Sequence, residues 1–159
     1  MCIRDRQKGI DWTVPCTDIT DKPQFAWRGL MLDVSRHWFT KEEVKKYIDE
    51  LAEYKMNVFH WHLTDDQGWR LEIKSLPRLT EVGAWRAPRV GQWWQRAPQQ
   101  PGEETTYGGF YTQEDVKEVL AYAAERYVRV IPEIDVPGHS LAALVAYPDL
   151  ACMKAPSAV

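Results

Sequence analysis

The sequence is short of cysteine, of long apolar runs and of excess positive charge. Its three cysteines, Cys2, Cys16 and Cys152, lie far apart and form no CxxC pair, which argues against a zinc site and gives little support to a disulfide framework. No run of about 18 apolar residues occurs, so no membrane span is predicted. A formal net charge of −3 with both signs interspersed makes nucleic acid and anionic membrane poor candidate partners and favours a neutral ligand.

Composition predicts one folded unit preceded by an irregular segment. The 159 residues are 45% hydrophobic and 27% charged, which is ordinary for a globular domain. Residues 1–6 are charged, lack the apolar core of a signal peptide and are interpreted as an artefact foreign to the protein. Residues 9–26 contain Pro15 and Pro23 without periodicity and suit a linker or the tail of a preceding domain. The predicted boundary separates residues 1–26 from a folded domain at 27–159.

Apolar periodicity predicts three strands that alternate with three helices. The strands are predicted at residues 30–34, 57–63 and 127–136. Capping boxes of Thr40 with Glu43 and of Thr112 with Asp115 begin two helices, and a short third helix is predicted at residues 141–147. This alternation indicates an α/β fold with parallel strands and right-handed crossovers. A complete (β/α)₈ TIM barrel needs about 250 residues, so the chain is interpreted as the N-terminal part of one, incomplete and about three β/α units long.

A long connection, residues 64–111, separates the second predicted strand from the second helix. Connections longer than about 12–15 residues are usually functional or disordered, and this composition argues against disorder. Its aromatic residues include Trp69, Trp85, Trp93, Trp94 and Tyr107. Any single aromatic ring is expected to serve packing, but several beside a polar cleft suit stacking on the apolar face of a sugar. The connection is therefore predicted to cover or line a site.

Polar and charged side chains cluster where each predicted strand ends. Because the carboxyl ends of parallel strands point to one face, these residues are predicted to converge on one cleft, and the chain is interpreted as part of an enzyme. They are Asp33, Arg36, Asp65, Asp66, Glu133, Asp135 and His139.

The first two clusters leave alternatives open. A guanidinium at Arg36, held by Asp33, suits neighbouring sugar hydroxyls or a carboxylate ligand, but a structural ion pair explains the two residues equally well. Asp65 and Asp66 must differ in environment, because like charges so close take different partners. Solvated loop acids are the alternative, although the flanking sequence is apolar and aromatic on both sides.

His60 and His62 on the second strand suggest a metal site. An HxH pair can place two imidazoles on the same side of a strand, where they could bind a metal ion. The alternative is a packed, hydrogen-bonded histidine pair, since no Cys or His cluster elsewhere supplies further ligands. A metal-dependent TIM-barrel hydrolase using His60 and His62 is therefore kept as a second hypothesis.

The third cluster places a histidine near two carboxylates. Alternation along the strand predicts Glu133 and Asp135 on one face, and the turn at Pro137 and Gly138 lets His139 reach back over the strand ends. A histidine beside carboxylates is a candidate general acid or base, or a support for one. His139 could instead cap the following helix.

Four long segments carry a family resemblance. They are FAWRGLMLDVSRHWF at residues 25–39, NVFHWHLTDDQGWRLEI at 57–73, YGGFYTQEDV at 107–116 and VIPEIDVPGHS at 130–140. In this order they resemble the β-N-acetylhexosaminidases of glycoside hydrolase family 20. The resemblance covers residues 25–150 and implies that 27–159 is part of a catalytic (β/α)₈ barrel. Such an enzyme removes terminal N-acetylglucosamine or N-acetylgalactosamine from glycans or chitooligosaccharides with retention of configuration.

The resemblance implies substrate-assisted catalysis without a cofactor, in which the acetamido oxygen of the substrate attacks the anomeric carbon. The family is an exception to the scheme of two catalytic carboxylates. Arg36 is then expected to bind the 3- and 4-hydroxyls of the sugar, with Asp33 orienting it. Asp65 and His139 are expected to form a relay that supports the catalytic acid. The further substrate-binding residues that the resemblance implies are Asp66, Glu133 and Asp135.

The sequence departs from the family in one respect. The catalytic pair, an adjacent Asp and Glu after the fourth strand, has no matching motif here, because Asp49–Glu50 falls on the first predicted helix and is interpreted as solvent face. The chain is therefore expected to be a fragment without activity of its own. For the full-length parent the resemblance implies an extracellular or periplasmic location. A sugar-binding module without catalysis is the third hypothesis.

Overall fold

The structure, a computed structural model, describes residues 15–90, 99–100 and 102–153. Residues 1–6 and two tryptophans of the long connection, Trp93 and Trp94, lie outside the described residues. Residues 15–26 have exposed side chains and form neither helix nor strand. Their assignment to a linker or a preceding domain stays a prediction.

Short strands and helices follow one another in the predicted order. The strands are β1 (Gly29–Asp33), β2 (Val58–His62), β3 (Thr64–Asp65), β4 (Gly68–Trp69), β5 (Trp85–Arg86), β6 (Tyr107–Gly108) and β7 (Arg129–Glu133). The α-helices are α1 (Lys41–Glu53), α2 (Arg78–Glu81), α3 (Gln113–Ala124) and α4 (Leu141–Ala146), and a 3₁₀ turn follows at Pro148–Leu150. The three predicted strands and helices are thus confirmed as elements. No helix among the described residues is both long and apolar enough to cross a bilayer.

The three longer strands form one parallel sheet with β2 in the middle and β1 and β7 on either side. Its register places Asp33 opposite His62, and His62 opposite Glu133. These three residues are the last of their strands, so their side chains lie in one row at the carboxyl edge of the sheet. This is how consecutive β/α units of a barrel present residues to a site.

The third strand is shorter than predicted. It ends at Glu133. Two residues later the backbone N–H of Asp135 donates to the side-chain oxygen of Thr64 at 2.9 Å and not to a neighbouring strand. Asp135 therefore lies beyond the end of β7. Its carboxylate nevertheless lies within 4.8 Å of donor atoms of His62 and Asp65.

Both predicted capping boxes are present. The side chain of Thr40 accepts from the backbone N–H of Glu43, whose carboxylate accepts from the backbone of Thr40 at 2.7 Å. Thr112 and Asp115 repeat this exchange at 3.0 Å in both directions. Each box satisfies backbone donors of the first helical turn. Lys41 also lies 2.7 Å from Asp115, so an ion pair joins the starts of α1 and α3.

The main hydrophobic core lies between the sheet and the helices α1 and α3. Phe59 and Trp61 of β2 point into it. The helices contribute Val44, Ile48, Leu51, Val119 and Ala123. Because side chains alternate along a strand, His60 and His62 point to the opposite face of the sheet. The polar side chains at the strand ends lie on that face.

A second hydrophobic cluster joins the long connection to α4. It consists of Trp69, Leu79, Ala142 and Ala146. The ring of Trp69 is buried there, and its Nε1 donates to the backbone oxygen of Leu71 at 2.7 Å. The ring of Trp69 is thus used in packing, as expected of any single aromatic residue.

Candidate active site

A tight turn after β1 brings Arg36 back over the strand ends. Oδ1 of Asp33 accepts from the backbone N–H groups of Ser35 and Arg36, each at 3.0 Å, as in an Asx turn. Oδ2 of Asp33 lies 2.7 Å from Nη1 of Arg36. One carboxylate therefore fixes both the backbone and the guanidinium of Arg36.

Asp65, at the end of β3, is the centre of the site, and its side chain is only 1% exposed. Oδ2 lies 2.7 Å from Nη2 of Arg36 and 3.0 Å from Nε2 of His62. Oδ1 lies 3.2 Å from Nδ1 of His139 and accepts from the backbone N–H of Asp66 at 2.7 Å. A buried carboxylate is costly unless it is paired and hydrogen-bonded. The structure thus joins Arg36, Asp65 and His139 from three separate segments.

His139 and Asp66 lie beside Asp65 and make different contacts. The backbone of His139 has a φ of 54°, in the left-handed region that a turn uses to reverse the chain, and its side chain is 54% exposed. The helix cap that His139 could have formed is supplied by Asp66, whose Oδ1 accepts from the first N–H of α4, that of Leu141, at 3.1 Å. Oδ2 of Asp66 lies 3.9 Å from Nδ1 of His139. A role of Asp66 in substrate binding stays a prediction.

Glu133 lies between the two histidines of β2. Its Oε2 contacts Nε2 of His60 and lies 2.8 Å from Nδ1 of His62. The histidines therefore share one carboxylate on the face of the sheet opposite the core. His62 bridges this carboxylate to Asp65, a role that the HxH spacing did not predict.

Mutual contacts shift the pKa values of the charged groups. Burial lowers the pKa of His62, but hydrogen bonds to Glu133 and Asp65 outweigh it, and the pKa is raised above the ordinary 6.5. The hydrogen bond to His62 holds the pKa of Glu133 below its ordinary 4.5. Burial opposes the charge of Arg36, yet Asp33 and Asp65 raise its pKa. The cluster therefore favours a charged His62 between carboxylates.

The stability of the chain is expected to depend on His62 above neutral pH. A raised folded-state pKa contributes stability that is complete below the unfolded value of about 6.5 and is lost as the pH rises through the folded value. Urea unfolding between pH 6 and pH 9 should give a free energy that falls with pH. The His62→Gln variant should show a flatter dependence across this window. Equal slopes in the two proteins would contradict the arrangement.

Two sets of donor atoms within the described residues lie close enough to share a cation: His62 with Asp65 and Asp135, and Asp65 with Asp66 and His139. Both sets use Asp65, which the guanidinium of Arg36 already contacts. Nε2 of His60 and Nδ1 of His62 contact Glu133, and Nε2 of His62 contacts Asp65. The geometry gives no support to the metal hypothesis based on these two histidines.

Arg70 is a supporting residue that sequence reasoning missed. Its guanidinium is fully buried and donates only to backbone oxygens among the described residues. These are the oxygens of Val34 at 3.1 Å, Ser35 at 2.8 Å, Gln67 at 3.4 Å, Gly109 at 3.2 Å, and Ala84. Burial and the charge of Arg86 lower the pKa of Arg70 to about 10. Arg70 therefore ties the loop after β1 to the turn between β3 and β4.

The long connection also reaches the site through Arg86 and Tyr107. Nη2 of Arg86 donates to the backbone oxygen of Arg36 at 2.9 Å, and its guanidinium lies over the ring of Tyr107 at 4.6 Å. The hydroxyl of Tyr107 accepts from the backbone N–H of Trp38 at 3.0 Å and lies 2.9 Å from Nδ1 of His37. The connection thus supports the segment that carries Arg36.

A parallel β/α sheet with a buried charge cluster at its carboxyl edge is typical of enzymes of the α/β class, including those built on a (β/α)₈ barrel. The family model for the catalytic domain of glycosyl hydrolase family 20 matches residues 25–159. The chain belongs to this family.

Curated relatives agree with this assignment. The chain is 53% identical over 143 residues to a β-hexosaminidase of Porphyromonas gingivalis, a match that covers 90% of this chain and 17% of that protein. It is 55% identical over 144 residues to a β-hexosaminidase of Vibrio furnissii, covering 91% and 23% respectively. The chain therefore spans about a fifth of the length of these relatives.

Solved structures show the same fold. An exo-β-N-acetylglucosaminidase of Vibrio harveyi, crystallised with N-acetylglucosamine, superposes with a TM-score of 0.73 at 51% identity, over 86% of this chain and 21% of that one. An N-acetyl-β-hexosaminidase of Streptomyces plicatus in complex with thio-NAglucal gives 0.70 at 46% identity, over 86% and 25%. The interpretation as an incomplete α/β barrel is confirmed.

Proposed function

We propose that the protein acts on terminal β-N-acetylhexosaminides and removes the sugar by retaining, substrate-assisted hydrolysis. The observation that carries the proposal is the guanidinium of Arg36, held over the strand ends by Asp33 and Asp65, each at 2.7 Å. The names of the relatives support it, since they are β-hexosaminidases and one solved neighbour was crystallised with N-acetylglucosamine. The substrate is therefore proposed to be a carbohydrate, and the family resemblance implies no cofactor.

Arg36 is proposed to bind the 3- and 4-hydroxyls of the sugar. A guanidinium has five N–H donors in a rigid fork, and the two carboxylates do not use all of them. The side chain is 35% exposed, and its remaining donors are proposed to face the cleft. Because Asp33 also binds the backbone N–H of Arg36, the guanidinium is positioned before the sugar arrives.

His139 is proposed to support the catalytic acid. Its Nδ1 faces the buried Asp65, and its half-exposed ring leaves Nε2 for a partner in the cleft. A carboxylate behind an imidazole fixes the orientation of its ring. Asp135 lies close to the same carboxylate and is proposed to shape the cleft.

The acid and base of the reaction are not supplied by the adjacent Asp49 and Glu50. Asp49 lies on α1, where its carboxylate accepts from the hydroxyl of Tyr122 at 2.8 Å and pairs with Arg126 of the segment after α3. This contact is on the helical side of the sheet, opposite the strand-end cluster. The described residues are therefore proposed to supply the sugar-binding half of the site, and the chain alone is expected to release no sugar.

A chimera tests the proposed function. The segment of the Vibrio harveyi enzyme that superposes on this chain is replaced by the corresponding residues of this chain, and release of a chromophore from an N-acetylglucosaminide is measured. The chimera is expected to be active, whereas the 159-residue chain is expected to match a buffer blank. A folded but inactive chimera would contradict the proposal, and so would hydrolysis by the chain alone.

Within this chimera, Arg36→Ala is expected to lower kcat/KM by about 10- to 100-fold. Hydrogen bonds to charged groups are worth about 1.5–3 kcal/mol, and about 1.4 kcal/mol is a factor of ten. Arg129→Ala, which removes an exposed arginine of β7, is the matched control and should leave kcat/KM unchanged. Equal kcat/KM values for the two variants would show that Arg36 does not bind the sugar.

A further inference from the structure

The ring of His62 has three charged neighbours in direct contact. Nδ1 lies 2.8 Å from Oε2 of Glu133. Nε2 lies 3.0 Å from Oδ2 of Asp65 and 3.3 Å from Nη1 of Arg36. The side chain is only 5% exposed, so these neighbours determine which ring nitrogens carry protons.

The two neutral tautomers of His62 are not equivalent in this environment. A proton on Nε2 is donated to Asp65, but the bare Nδ1 then faces the carboxylate of Glu133. An ionised carboxylate can accept hydrogen bonds but has no proton to donate. A proton on Nδ1 is donated to Glu133, and the bare Nε2 accepts from Arg36. The charged imidazolium donates to both carboxylates. Each state that satisfies Glu133 therefore keeps the proton on Nδ1.

We propose that Glu133 is a positioning residue that holds a proton on Nδ1 of His62. Nε2 is then the ring nitrogen that gains and loses a proton, beside Asp65 and Arg36 of the proposed sugar site. With Nε2 protonated, His62 donates to Asp65. With Nε2 bare, it accepts from Nη1 of Arg36, and Asp65 keeps the guanidinium and His139 as donors. Glu133 thus acts through His62, in contrast to the direct substrate contact that the family resemblance implies. The importance of this tautomer for catalysis rests on the proposed function, but the position of the proton on His62 can be measured without it.

Charged groups face His62 from every neighbouring strand. They are Asp33 at the end of β1, Arg36 after it, Asp65 on β3, Glu133 on β7 and Asp135 after β7. Glu133 also contacts Nε2 of His60, whose side chain is 41% exposed. These two imidazoles hold the pKa of Glu133 below its ordinary value. Glu133 is thus an ionised acceptor at neutral pH and has no proton to give to Nδ1.

Nitrogen NMR of the 159-residue chain, labelled with ¹⁵N in its histidine rings, tests the proposal, because ring shifts separate a protonated from a bare nitrogen. The His62→Gln variant identifies the signals of His62. In the unmodified chain Nδ1 should stay protonated throughout a titration from pH 6 to pH 9, while Nε2 loses its proton as the pH rises. In Glu133→Met, which offers no acceptor to Nδ1, the neutral ring should carry its proton on Nε2. His60→Gln retains Glu133 and should keep the proton on Nδ1.

A bare Nδ1 in the neutral ring of the unmodified chain would overturn the proposal, as would a proton that stays on Nδ1 in Glu133→Met. If Glu133→Met loses the dispersed amide spectrum of the folded chain, the unmodified chain and His60→Gln still decide the question. An inactive chimera combined with a protonated Nδ1 would contradict the proposed hydrolase function alone. An active chimera combined with a bare Nδ1 would contradict only the role of Glu133.

Discussion

Replacement of Arg70 by methionine is expected to destabilise the folded chain strongly. Methionine fills much of the space but donates no hydrogen bond, and the five backbone oxygens that Arg70 contacts would lose a buried donor. Each buried polar group left unpaired costs about 1–3 kcal/mol. The expected loss, on the order of 5 kcal/mol, compares with a total stability of about 5–15 kcal/mol for a domain. Circular dichroism during heating and urea unfolding measure the effect.

Two variants separate this effect from a general cost of losing an arginine. Arg129→Met removes an exposed side chain from β7 and should change the stability by about 0.5 kcal/mol or less. Arg70→Lys keeps the charge but not the planar fork, so it should rescue only part of the stability. If Arg70→Met melts within a few degrees of the unmodified chain, the carbonyl contacts do not hold the loop after β1.

The role of Arg70 could not be predicted, whereas the capping boxes could, and the reason is the range of the contacts. Thr112 and Asp115 exchange their hydrogen bonds within one turn of chain, so their spacing alone carries the signal. Arg70 contacts oxygens as distant in sequence as those of Val34 and Gly109. Backbone oxygens are present at every residue, so no side-chain pattern marks them as its partners.

The charge cluster is an intermediate case. The rule that parallel strands end on one face correctly brought Arg36, Asp65 and His139 together. It did not reveal which partner each group takes, because that depends on side-chain directions within a few ångströms. His62 is an example, since alternation gives its face of β2 but not its position between Glu133 and Asp65. The third strand is shorter than predicted because the backbone N–H of Asp135 donates to the hydroxyl of Thr64, a contact that the strand pattern does not reveal.

The aromatic residues show the limit of composition as a guide. Trp69 and Tyr107 belong to one connection rich in rings, yet Trp69 packs against α4 while Tyr107 supports the segment after Arg36. Both uses are compatible with an aromatic side chain. Only the neighbours in space distinguish packing from a contact with the site.

Substitution of Asp65 by asparagine is expected to lower the free energy of unfolding by about 3–5 kcal/mol, the usual cost of removing one partner from a buried ion pair. Oδ2 faces the donors of Arg36 and His62, and Oδ1 faces the backbone of Asp66 and the ring of His139. An asparagine amide group must replace one of these oxygens. Whichever side it takes, two donors lose an acceptor, and the guanidinium loses its buried counter-charge.

The neighbouring substitution Asp66→Asn is the matched control for this prediction. Asp66 is 38% exposed, and an asparagine oxygen can still accept from the N–H of Leu141 at the start of α4. The expected loss is therefore below about 1 kcal/mol, as measured by urea unfolding under the same conditions. In the chimera, Asp65→Asn should also lower kcat/KM, because both Arg36 and His139 lose the group that orients them. Equal losses of stability for the two adjacent aspartates would mean that burial and pairing do not set Asp65 apart, and the site would then lack its organising charge.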